Sequence, residues 1–562
     1  EFESLFAHQV MDISKLNSLV ELYFKKTEEV DGKRPFLKWL KPEKRTYNWE
    51  DITQRIFKLT AKIKSLIKQG DRCLILSENR PYWLMTDIAI MNAGGISVPI
   101  FTTYSANDYE YILNDCKPSL VFVSNQNQFD KIKKFIRSDV KIISFEEINT
   151  DSLLIKEILN EEVNEKIVNK DLKRNMPACI IYTSGTSGNP KGVVLSHGGI
   201  LSNCEGAVEL LEVLTKKKDP VFLTWLPLSH SYEHTVQFIQ IIVGAKVFYA
   251  ESLEKLISNM GIAKPTIMTA VPRFYQNLFT KINMNFEKQS GFKRKLINQT
   301  LDLGKKILKK EELKLSEKIT NFLCEKLVRK KIRNQFGGNL QAFVSGGGAL
   351  DQNIGEFLNA VGLPTLQGYG LTEASPVVSC NLPDLVKVES VGPPFRTNKV
   401  KIAEDGEILI KGENVMLGYW NLKKETEKVI KDGWLHTGDI GELDNNNYLK
   451  ITDRKKDIIV NLGGDNISPS KVENILCLNE NIKQSFVYGD KKNYLVALIV
   501  SEKENSKEKI KLIIENINKS LTLIEKIKKF VVINEEFTIE NGMLTPTLKL
   551  KRKEIIKNYK QQ

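Results

Sequence analysis

The sequence lacks an apolar run long enough to cross a membrane. Its best candidate, residues 238–250, is interrupted by Gln240, Gly244 and Lys246, whereas a spanning helix needs about 20 mostly apolar residues. The amino-terminal residues also lack the pattern of a secretion signal. We therefore expect a globular protein of the cytoplasm, with any membrane contact peripheral and on the inner face.

Histidine is scarce, and the cysteines lack the spacing of a metal site. Five histidines and seven cysteines are present, with no CxxC motif. A histidine-rich metal centre is thereby disfavoured. An odd number of dispersed cysteines is typical of free thiols in a reducing compartment rather than of a disulfide framework.

Acidic residues are few in one segment of the chain. The net charge is +13, and residues 281–340 hold sixteen Lys/Arg against six Asp/Glu, a net charge of +10. Apolar residues recur there at helical spacing, which predicts amphipathic helix with lysines on the outer face. These residues are Leu315, Ile319, Phe322, Leu323 and Leu327. A solvated surface is one interpretation, and attraction of an anionic partner such as a phospholipid surface is the other. Nucleic acid is disfavoured, because the segment has few aromatic residues for base stacking and no recognised binding motif.

The length and the hydrophobic pattern predict several α/β layers. At 562 residues the chain is too long for one core. Short apolar runs, such as 73–76 and 120–123, alternate with helical patterns, which predicts parallel sheets. Asn48 is the expected cap of one helix. Residues 406–412 and 415–420 predict strands and turns of a small β subdomain.

A run of hydroxyl residues and glycines follows the apolar run 179–181. Glycines let backbone N–H groups approach a phosphate chain, while Thr, Ser and Lys add hydroxyl donors and a cation. The Walker pattern fails, since no glycine stands immediately before Lys191, and Gly192 rather than Ser or Thr follows it. A flexible polar surface loop is the alternative, which the preceding strand disfavours. The run reads Tyr182-Thr183-Ser184-Gly185-Thr186-Ser187-Gly188-Asn189-Pro190-Lys191-Gly192.

Two glycine-containing clusters further along suit a nucleotide. Residues 346–348 are three glycines after the strand pattern 340–344, and they let a flat ring lie against bare backbone, although a tight turn would explain two of them. In the run 367–373, Tyr369 supplies an aromatic face, Thr372 a hydroxyl donor and Glu373 an oxygen ligand suited to Mg²⁺.

A single histidine, His230, ends the segment that follows the strand pattern 221–225. A lone histidine is more often structural than catalytic, so both interpretations stay open on the residues alone. The same holds for Lys549 and Lys551, which would otherwise be surface lysines.

Together these motifs resemble the signatures of the adenylate-forming, or AMP-binding, superfamily. The residues around Glu373 (372–378) are most similar to those of its long-chain fatty acyl-CoA synthetases. The resemblance spans essentially the whole chain, with at least seven motifs in the expected order.

The resemblance implies a nucleotide site and its catalytic groups. Tyr369 would pack on adenine, Thr372 would touch the α-phosphate, Asp439 would bind the ribose hydroxyls, Arg454 would reach the nucleotide, and Glu373 would hold Mg²⁺. The remaining ATP-binding residues are Thr183, Ser184, Gly185, Thr186, Ser187, Gly188, Lys191, Gly346, Gly347, Gly368 and Gly370.

The resemblance also assigns residues to the acyl group and to the chemistry. Thr183, His230, Glu373 and Lys549 would be catalytic, with Lys551 as the alternative to Lys549. Tyr232 or His234 would lie near the entrance of an acyl tunnel.

The implied fold is α/β and has two domains. Residues 1–452 would form a large domain of two α/β subdomains and a small β-barrel, with a basic helical insertion at 281–340. A hinge at 453–456, centred on Lys456, would connect it to a small mobile α+β domain at 457–562.

The implied activity is ATP-dependent ligation of a long-chain fatty acid to coenzyme A. An acyl-adenylate would form first, with release of pyrophosphate, and AMP would leave in the second step. Transfer of the acyl group to a carrier protein is the alternative for the second step. A nucleotide-regulated protein that binds a polyanion or a membrane is the alternative from another class. In the enzyme, the basic segment would attract phospholipid or the phosphates of coenzyme A, whereas in the alternative from another class it would itself be the functional site.

Overall fold

The computed structural model describes residues 11–41, 44–163, 165–183, 189–215, 219–463, 465–501, 507–545 and 547–559. The expected phosphate-loop residues Ser184 to Gly188 lie outside this part of the chain.

The α-helices are spread along the whole chain. They are α1 (Leu19–Glu29), α2 (Trp49–Leu66), α3 (Pro81–Asn92), α4 (Ala106–Cys116), α5 (Gln126–Ile132), α6 (Ile155–Asn160), α7 (His197–Thr215), α8 (Ser231–Ile242), α9 (Leu256–Ala263), α10 (Pro272–Glu287), α11 (Gly291–Leu308), α12 (Leu315–Cys324), α13 (Lys330–Gln335), α14 (Gln352–Ala360), α15 (Lys423–Val429), α16 (Pro469–Leu476), α17 (Lys507–Ile517) and α18 (Arg552–Tyr559). A π-helical turn, Glu325–Arg329, joins α12 to α13.

The strands form two large sheets and three smaller ones. They are β1 (Pro35–Trp39), β2 (Thr46–Asn48), β3 (Arg72–Leu76), β4 (Ile96–Pro99), β5 (Leu120–Val123), β6 (Lys141–Ser144), β7 (Leu153–Leu154), β8 (Pro177–Thr183), β9 (Lys191–Ser196), β10 (Val221–Thr224), β11 (Lys246–Tyr249), β12 (Ile267–Ala270), β13 (Ala342–Ser345), β14 (Thr365–Gly370), β15 (Val377–Cys380), β16 (Asn398–Ile402), β17 (Glu407–Gly412), β18 (Gly418–Tyr419), β19 (Ile430–Lys431), β20 (Trp434–Leu443), β21 (Leu449–Arg454), β22 (Ile459–Val460), β23 (Asn466–Ile467), β24 (Ile482–Tyr488), β25 (Leu495–Ser501) and β26 (Ile527–Ile533).

Each large sheet is parallel in its interior; sheet 1 is antiparallel at one edge, and sheet 2 is antiparallel at both. Sheet 1 has the order β18-β9-β8-β4-β3-β5-β6-β7, and sheet 2 has the order β15-β14-β13-β12-β10-β11-β1-β2. Helices cover the parallel strands, and β5 is buried along its whole length. Strands that are buried on both faces have continuous apolar sequences, so the apolar run 120–123 allowed β5 to be predicted from the sequence. Helices α7 and α8, which follow strands of different sheets, pack against each other and join the two layers.

The rest of the chain forms smaller layers. Sheet 3 is antiparallel, with the order β16-β17-β20-β19 and with β21 also paired to β20. Beyond Arg454, β22 pairs with β23, and sheet 4 has the order β24-β25-β26 with α16 packed on β24. The predicted fold class is confirmed: two α/β layers are followed by a β layer and a small α+β region.

Local sequence determines where α2 begins. The Asn48 side chain accepts a hydrogen bond from the Asp51 N–H, and the Asp51 carboxylate accepts one from the Asn48 N–H. This reciprocal pair satisfies two N–H groups that the first turn of a helix leaves without partners. The cap expected at Asn48 is confirmed.

The basic segment is helical, as expected, but its apolar stripe faces outward. Leu315 is 78% exposed and Ile319 62% exposed, and Phe322, Leu323 and Leu327 are exposed as well. The residues that face the core are Cys324, Val328 and Ile332. The expected amphipathic arrangement is therefore wrong in orientation, because a second and shorter apolar face of the same helix packs inward.

One short strand belongs to a different sheet from the one expected. Strand β18, within 415–420, pairs with β9 of sheet 1 rather than with sheet 3. The Trp420 N–H donates to the Gly192 carbonyl at 2.7 Å, which extends this contact. Residue 419 is thereby brought beside Lys191.

The cysteines are free thiols, as their number and spacing predict. The seven cysteines are free, and all but Cys477 are fully buried. Burial raises the pKa of Cys116 and of Cys380 to about 12. Among the described residues, no helix combines the length and apolar character needed to span a bilayer.

Candidate active site

A single cavity gathers most of the residues expected to act on a nucleotide. It lies where β8, β13 and β14 end, and Thr545, Thr547 and Lys549 of the small α+β region also line it. The carboxyl ends of parallel strands are the usual ligand-binding edge of an α/β sheet. The expected site residues that line the cavity are Thr183, His230, Tyr232, Gly346, Gly347, Gly368, Tyr369, Gly370, Thr372, Glu373, Arg454, Lys456 and Lys549.

A carboxylate beside one end of the cavity, that of Asp439, is held by a hydrogen bond and an ion pair, although Asp439 does not itself line the cavity. The Tyr369 hydroxyl donates to Oδ2 of Asp439 at 2.7 Å, and Nε of Arg454 lies 2.9 Å from Oδ1. Asp439 and Arg454 are paired across β20 and β21. Burial and the Asp439 charge raise the pKa of Tyr369, so this hydroxyl stays protonated and keeps donating. Both carboxylate oxygens are thus oriented before any ligand arrives.

Tyr232 lies against the glycines after β13. A Cβ at Gly346 would come within 2.8 Å of Cε1 of Tyr232, so only glycine permits this contact. The Tyr232 hydroxyl donates to the Val344 carbonyl at 3.1 Å. The three-glycine run therefore does hold an aromatic ring, and that ring comes from the protein.

A second polar group lies directly after β14. The hydroxyls of Thr372 and Ser231 are 3.0 Å apart. The Tyr419 hydroxyl donates to Oε1 of Glu373 at 2.9 Å and orients that carboxylate. The two side chains thus present a hydroxyl and an anchored carboxylate to the same cavity.

Lys191 lies near the cavity, and its ammonium group contacts a carboxylate and an aromatic ring. Its Nζ is 2.8 Å from Glu425 and 4.9 Å from the centre of the Tyr419 ring. Lys191 first, and Lys428 second, lower the pKa of the Glu425 carboxyl to about 2. Tyr419 therefore contacts both the lysine of the expected phosphate loop and the expected metal ligand.

Lys549 reaches the cavity from a tight loop. The Lys549 N–H donates to Oγ1 of Thr545 at 3.0 Å, and the Thr545 N–H donates to the Lys549 carbonyl at 2.9 Å. Surrounding protein, and next the charge of Arg454, lowers the pKa of Lys549, whereas Asp439 and Glu373 act in the opposite direction. Lys551 is not among the residues that line the cavity.

The base of this loop is fixed by an ion pair. Arg552 donates to Oε1 and Oε2 of Glu473 at 2.8 and 2.6 Å, in a bidentate arrangement. Glu473 lies on α16 and is buried. Because a bidentate pair defines both position and orientation, it holds the Lys549 loop on the small α+β region.

His230 is neutral at pH 7. Burial, and then the charge of Lys549, lowers its pKa to about 4. The Tyr232 N–H donates to Nδ1 of His230 at 3.2 Å, so the proton of the neutral ring is on Nε2. His230 can therefore donate one hydrogen bond into the cavity.

The other half of the cavity is apolar. Helices α7 and α8 supply aliphatic side chains, and β10 and the segment before β16 each supply a phenylalanine ring. These residues are Ala207, Leu210, Leu211, Val236, Ile239, Phe222 and Phe395. A cavity with one polar and one apolar half suits an amphiphilic ligand.

His234 does not reach the cavity. Its Nε2 is 3.0 Å from Oδ2 of Asp87, both side chains are fully buried, and the ring packs edge-on against Trp83. Of the two residues expected at the acyl entrance, the structure brings only Tyr232 to the cavity.

The donors present fit a single magnesium ion bound together with phosphates. Among the described residues, no cluster of three or more His, Cys, Asp or Glu could hold a metal by itself. Mg²⁺ is commonly bound by one or two carboxylates together with substrate phosphates and water. The anchored Glu373 carboxylate meets that requirement.

The comparisons with known proteins determine the family. A model described as AMP-binding enzyme matches residues 24–420, and one described as AMP-binding enzyme C-terminal domain matches residues 456–562. The chain belongs to the AMP-binding enzyme family. The resemblance drawn from the motifs is thereby confirmed.

Relatives of this AMP-binding enzyme include long-chain-fatty-acid–CoA ligases. The ligase FadD15 of Mycobacterium tuberculosis is 29% identical over 550 residues, which cover 91% of each protein. Ligase 5 of Rattus norvegicus is 30% identical over 544 residues, 87% of this chain and 79% of the rat protein. O-succinylbenzoate coenzyme A synthetase (MenE) of Bacillus subtilis, solved with ATP and magnesium ion, shares the fold with a TM-score of 0.70 and 21% identity over 95% of this chain and 98% of that one.

Several residues of this AMP-binding enzyme's site were missed by sequence reasoning. Tyr419, Glu425, Ser231 and Thr545 contact the expected residues through pairings that the sequence does not display. The apolar residues of α7 were missed as well. Helix α7 is buried along most of its length, and its continuous apolar character was the available signal.

Proposed function

We propose that this AMP-binding enzyme joins a long-chain fatty acid to coenzyme A through an acyl-adenylate, using Mg·ATP. One observation carries the proposal: a single cavity joins a polar end, lined by Thr372, Glu373 and Lys549, to an apolar half lined by α7 and α8. The similarity to long-chain-fatty-acid–CoA ligases supports the choice of acid.

The first step forms a bond between a carboxylate oxygen and the α-phosphorus of ATP, and the bond to pyrophosphate breaks. Two anions meet, so the reaction needs positive charge and hydrogen-bond donors at the α-phosphate. We assign the ammonium of Lys549 and the hydroxyl of Thr372 to that role. Mg²⁺ held through Glu373 would neutralise phosphate charge.

We assign orientation of the reacting groups to three further side chains. Nε2 of His230 carries its proton and can donate to a carboxylate oxygen of the acid. Asp439, oriented by Tyr369 and Arg454, can accept hydrogen bonds from the ribose. The apolar half excludes water from the acyl chain and limits hydrolysis of the intermediate.

The second step forms a bond between the thiol sulfur of coenzyme A and the acyl carbon. AMP leaves with its electron pair, and the thiol proton passes to solvent. Lys549 occupies the cavity during the first step, so we propose that residues 457–562 turn about Lys456 to admit the thiol. The match of a separate C-terminal family model to residues 456–562 supports a boundary at that point.

We propose that the enzyme works in the cytoplasm and that its basic segment, residues 281–340, contacts an anionic membrane from the inner face. The seven free thiols support a reducing compartment. The net charge of +10 in the segment supports the contact.

The test is pyrophosphate release from Mg·ATP with a panel of acids, from acetate and amino acids through octanoate to oleate, with and without coenzyme A. We expect release that is strongest with long-chain acids, together with acyl-CoA when the thiol is present. Release without thioester would instead support transfer to a carrier protein, and the absence of release with every acid would refute the proposal.

A further inference from the structure

The outward face of α12 and the π-helical turn is an apolar stripe that no other part of the described chain covers. Five large side chains lie along it: two follow Ile319 by three and four residues, and the others are spaced by four, so they share one side of the helix. Their exposed fractions run from 42% to 78%. A contiguous apolar surface on a globular protein usually marks an interaction site. We call these residues the apolar stripe: Leu315, Ile319, Phe322, Leu323 and Leu327.

Lysines frame the apolar stripe. Lys314, Lys318, Lys326, Lys330 and Lys331 are all exposed, and Nζ of Lys326 lies 4.3 Å from the centre of the Phe322 ring. The surface therefore combines aliphatic side chains with a cluster of positive charge.

The acidic side chains of the same helix are engaged with other cations. Glu317 pairs with Lys306 at 2.6 Å, and Glu325 pairs with Arg333. The lysines beside the apolar stripe are consequently not neutralised by these two carboxylates, which are the acidic residues between 314 and 331.

The positive charge of the lysines indicates which kind of partner can bind this face. A second copy of the chain, docked through the same face, would bring the two lysine clusters together, and like charges repel. An anionic bilayer can bind both kinds of side chain. Its phosphate headgroups attract the lysines, and the acyl region beneath the headgroups accepts the apolar side chains.

We infer that the apolar stripe and its lysines dock this protein on bilayers that contain anionic phospholipid, with α12 lying in the plane of the membrane surface. The inference deepens the membrane contact of the proposed function by naming the face and both parts of the interaction. It does not require the proposed reaction.

The test is co-sedimentation with vesicles of phosphatidylglycerol and phosphatidylcholine, using the full chain. The variant is the pair Ile319→Glu and Phe322→Glu. Its matched control is Leu512→Glu on α17, where a leucine that is 66% exposed lies away from the stripe. We expect the double variant to bind about tenfold more weakly than the control, and high salt to weaken wild-type binding by several-fold.

Three results would overturn the inference. They are equal binding by the double variant and the control, equal binding to vesicles of phosphatidylcholine alone, and a dimer in sedimentation velocity that the double variant dissolves. Unchanged melting temperatures and unchanged pyrophosphate release with soluble octanoate show that the variants fold and keep their chemistry. A failure of vesicle binding is thereby separated from a failure of the proposed reaction.

Discussion

At the scale of single residues, the site depends on side chains whose protonation is determined by their surroundings. The ammonium of Lys549 stands close to Arg454, which lowers its pKa, while two carboxylates stabilise its charge. His230 is kept neutral by burial. A lysine side chain and a neutral imidazole donor thus face the same cavity, and the role of the lysine can be tested by substitution.

We expect Lys549→Ala to lower the rate of pyrophosphate release about 100-fold or more, because removal of one preorganised charge at a developing anion has effects of that size. Lys551→Ala is the matched control. It removes an identical side chain two residues away, outside the cavity lining, and we expect its rate to stay within about twofold. Equal losses in the two variants would contradict the assignment.

A buried histidine outside the cavity makes stability depend on pH. His197 is 1% exposed, and burial lowers its pKa to about 4. Between pH 6.5 and 4, the imidazole is therefore protonated in the unfolded chain but not in the folded chain. The free energy of unfolding falls as pH falls through that window. The effect amounts to about 3 kcal/mol at most.

In His197→Asn, which can still accept a hydrogen bond from the Leu19 N–H, we expect the melting temperature to fall less steeply over that window. The gap between wild type and variant should narrow by a few degrees from pH 7 to pH 4.5. A gap that stays constant across this range would show that His197 does not titrate as described.

At the scale of elements, the short strand β18 connects two parts of the site. Its pairing with β9 places Tyr419 between Lys191 and Glu373. Tyr419 is a positioning residue in this arrangement, because it orients the carboxylate proposed to hold Mg²⁺.

Tyr419→Phe keeps the ring beneath Lys191 and removes only the hydroxyl. We expect the Mg²⁺ concentration for half-maximal pyrophosphate release to rise about tenfold, since partners of metal ligands contribute to affinity on that scale. Tyr448→Phe removes a hydroxyl that donates to the Leu385 carbonyl instead, and we expect it to leave the Mg²⁺ dependence unchanged. A change in rate at all Mg²⁺ concentrations, without a shift in the requirement, would contradict the role of Tyr419.

The limits of sequence reasoning also lie at the element scale. The ends of β8 at Thr183 and of β14 at Gly370 were predictable, because each apolar run and the polar residues that follow it are adjacent in the chain. The contact of Tyr419 with Lys191 was not, because it depends on a strand pairing between residues more than 200 positions apart. In the basic segment, periodicity indicated a helix but did not determine which of its two apolar faces would be buried.

At the scale of the whole molecule, the cavity is completed by two regions of the chain. Arg454 ends β21, and Lys549 comes from the small α+β region that follows it. A direct hydrogen bond also joins the regions, from Arg273 to the Lys483 carbonyl at 3.3 Å. The proposed second step requires that these contacts between the two regions break and form again.

We expect Lys456→Pro to retain pyrophosphate release within about threefold and to lose acyl-CoA formation by tenfold or more, because proline restricts its own φ and the residue before it. Lys456→Ala removes the same side chain but keeps backbone freedom. It should therefore support both steps, and a loss of thioester formation in both variants would assign the effect to the side chain rather than to the turn.

The buried thiols have a practical consequence for following the reaction. A chromogenic disulfide reagent reacts with accessible thiolates. Six of the seven cysteines are buried. The thiols of Cys116 and Cys380 also stay protonated at neutral pH, because burial raises their pKa values. Coenzyme A consumption can therefore be read by colour in the presence of the native enzyme. The same reagent, added with denaturant, would count the protein's own thiols and report unfolding.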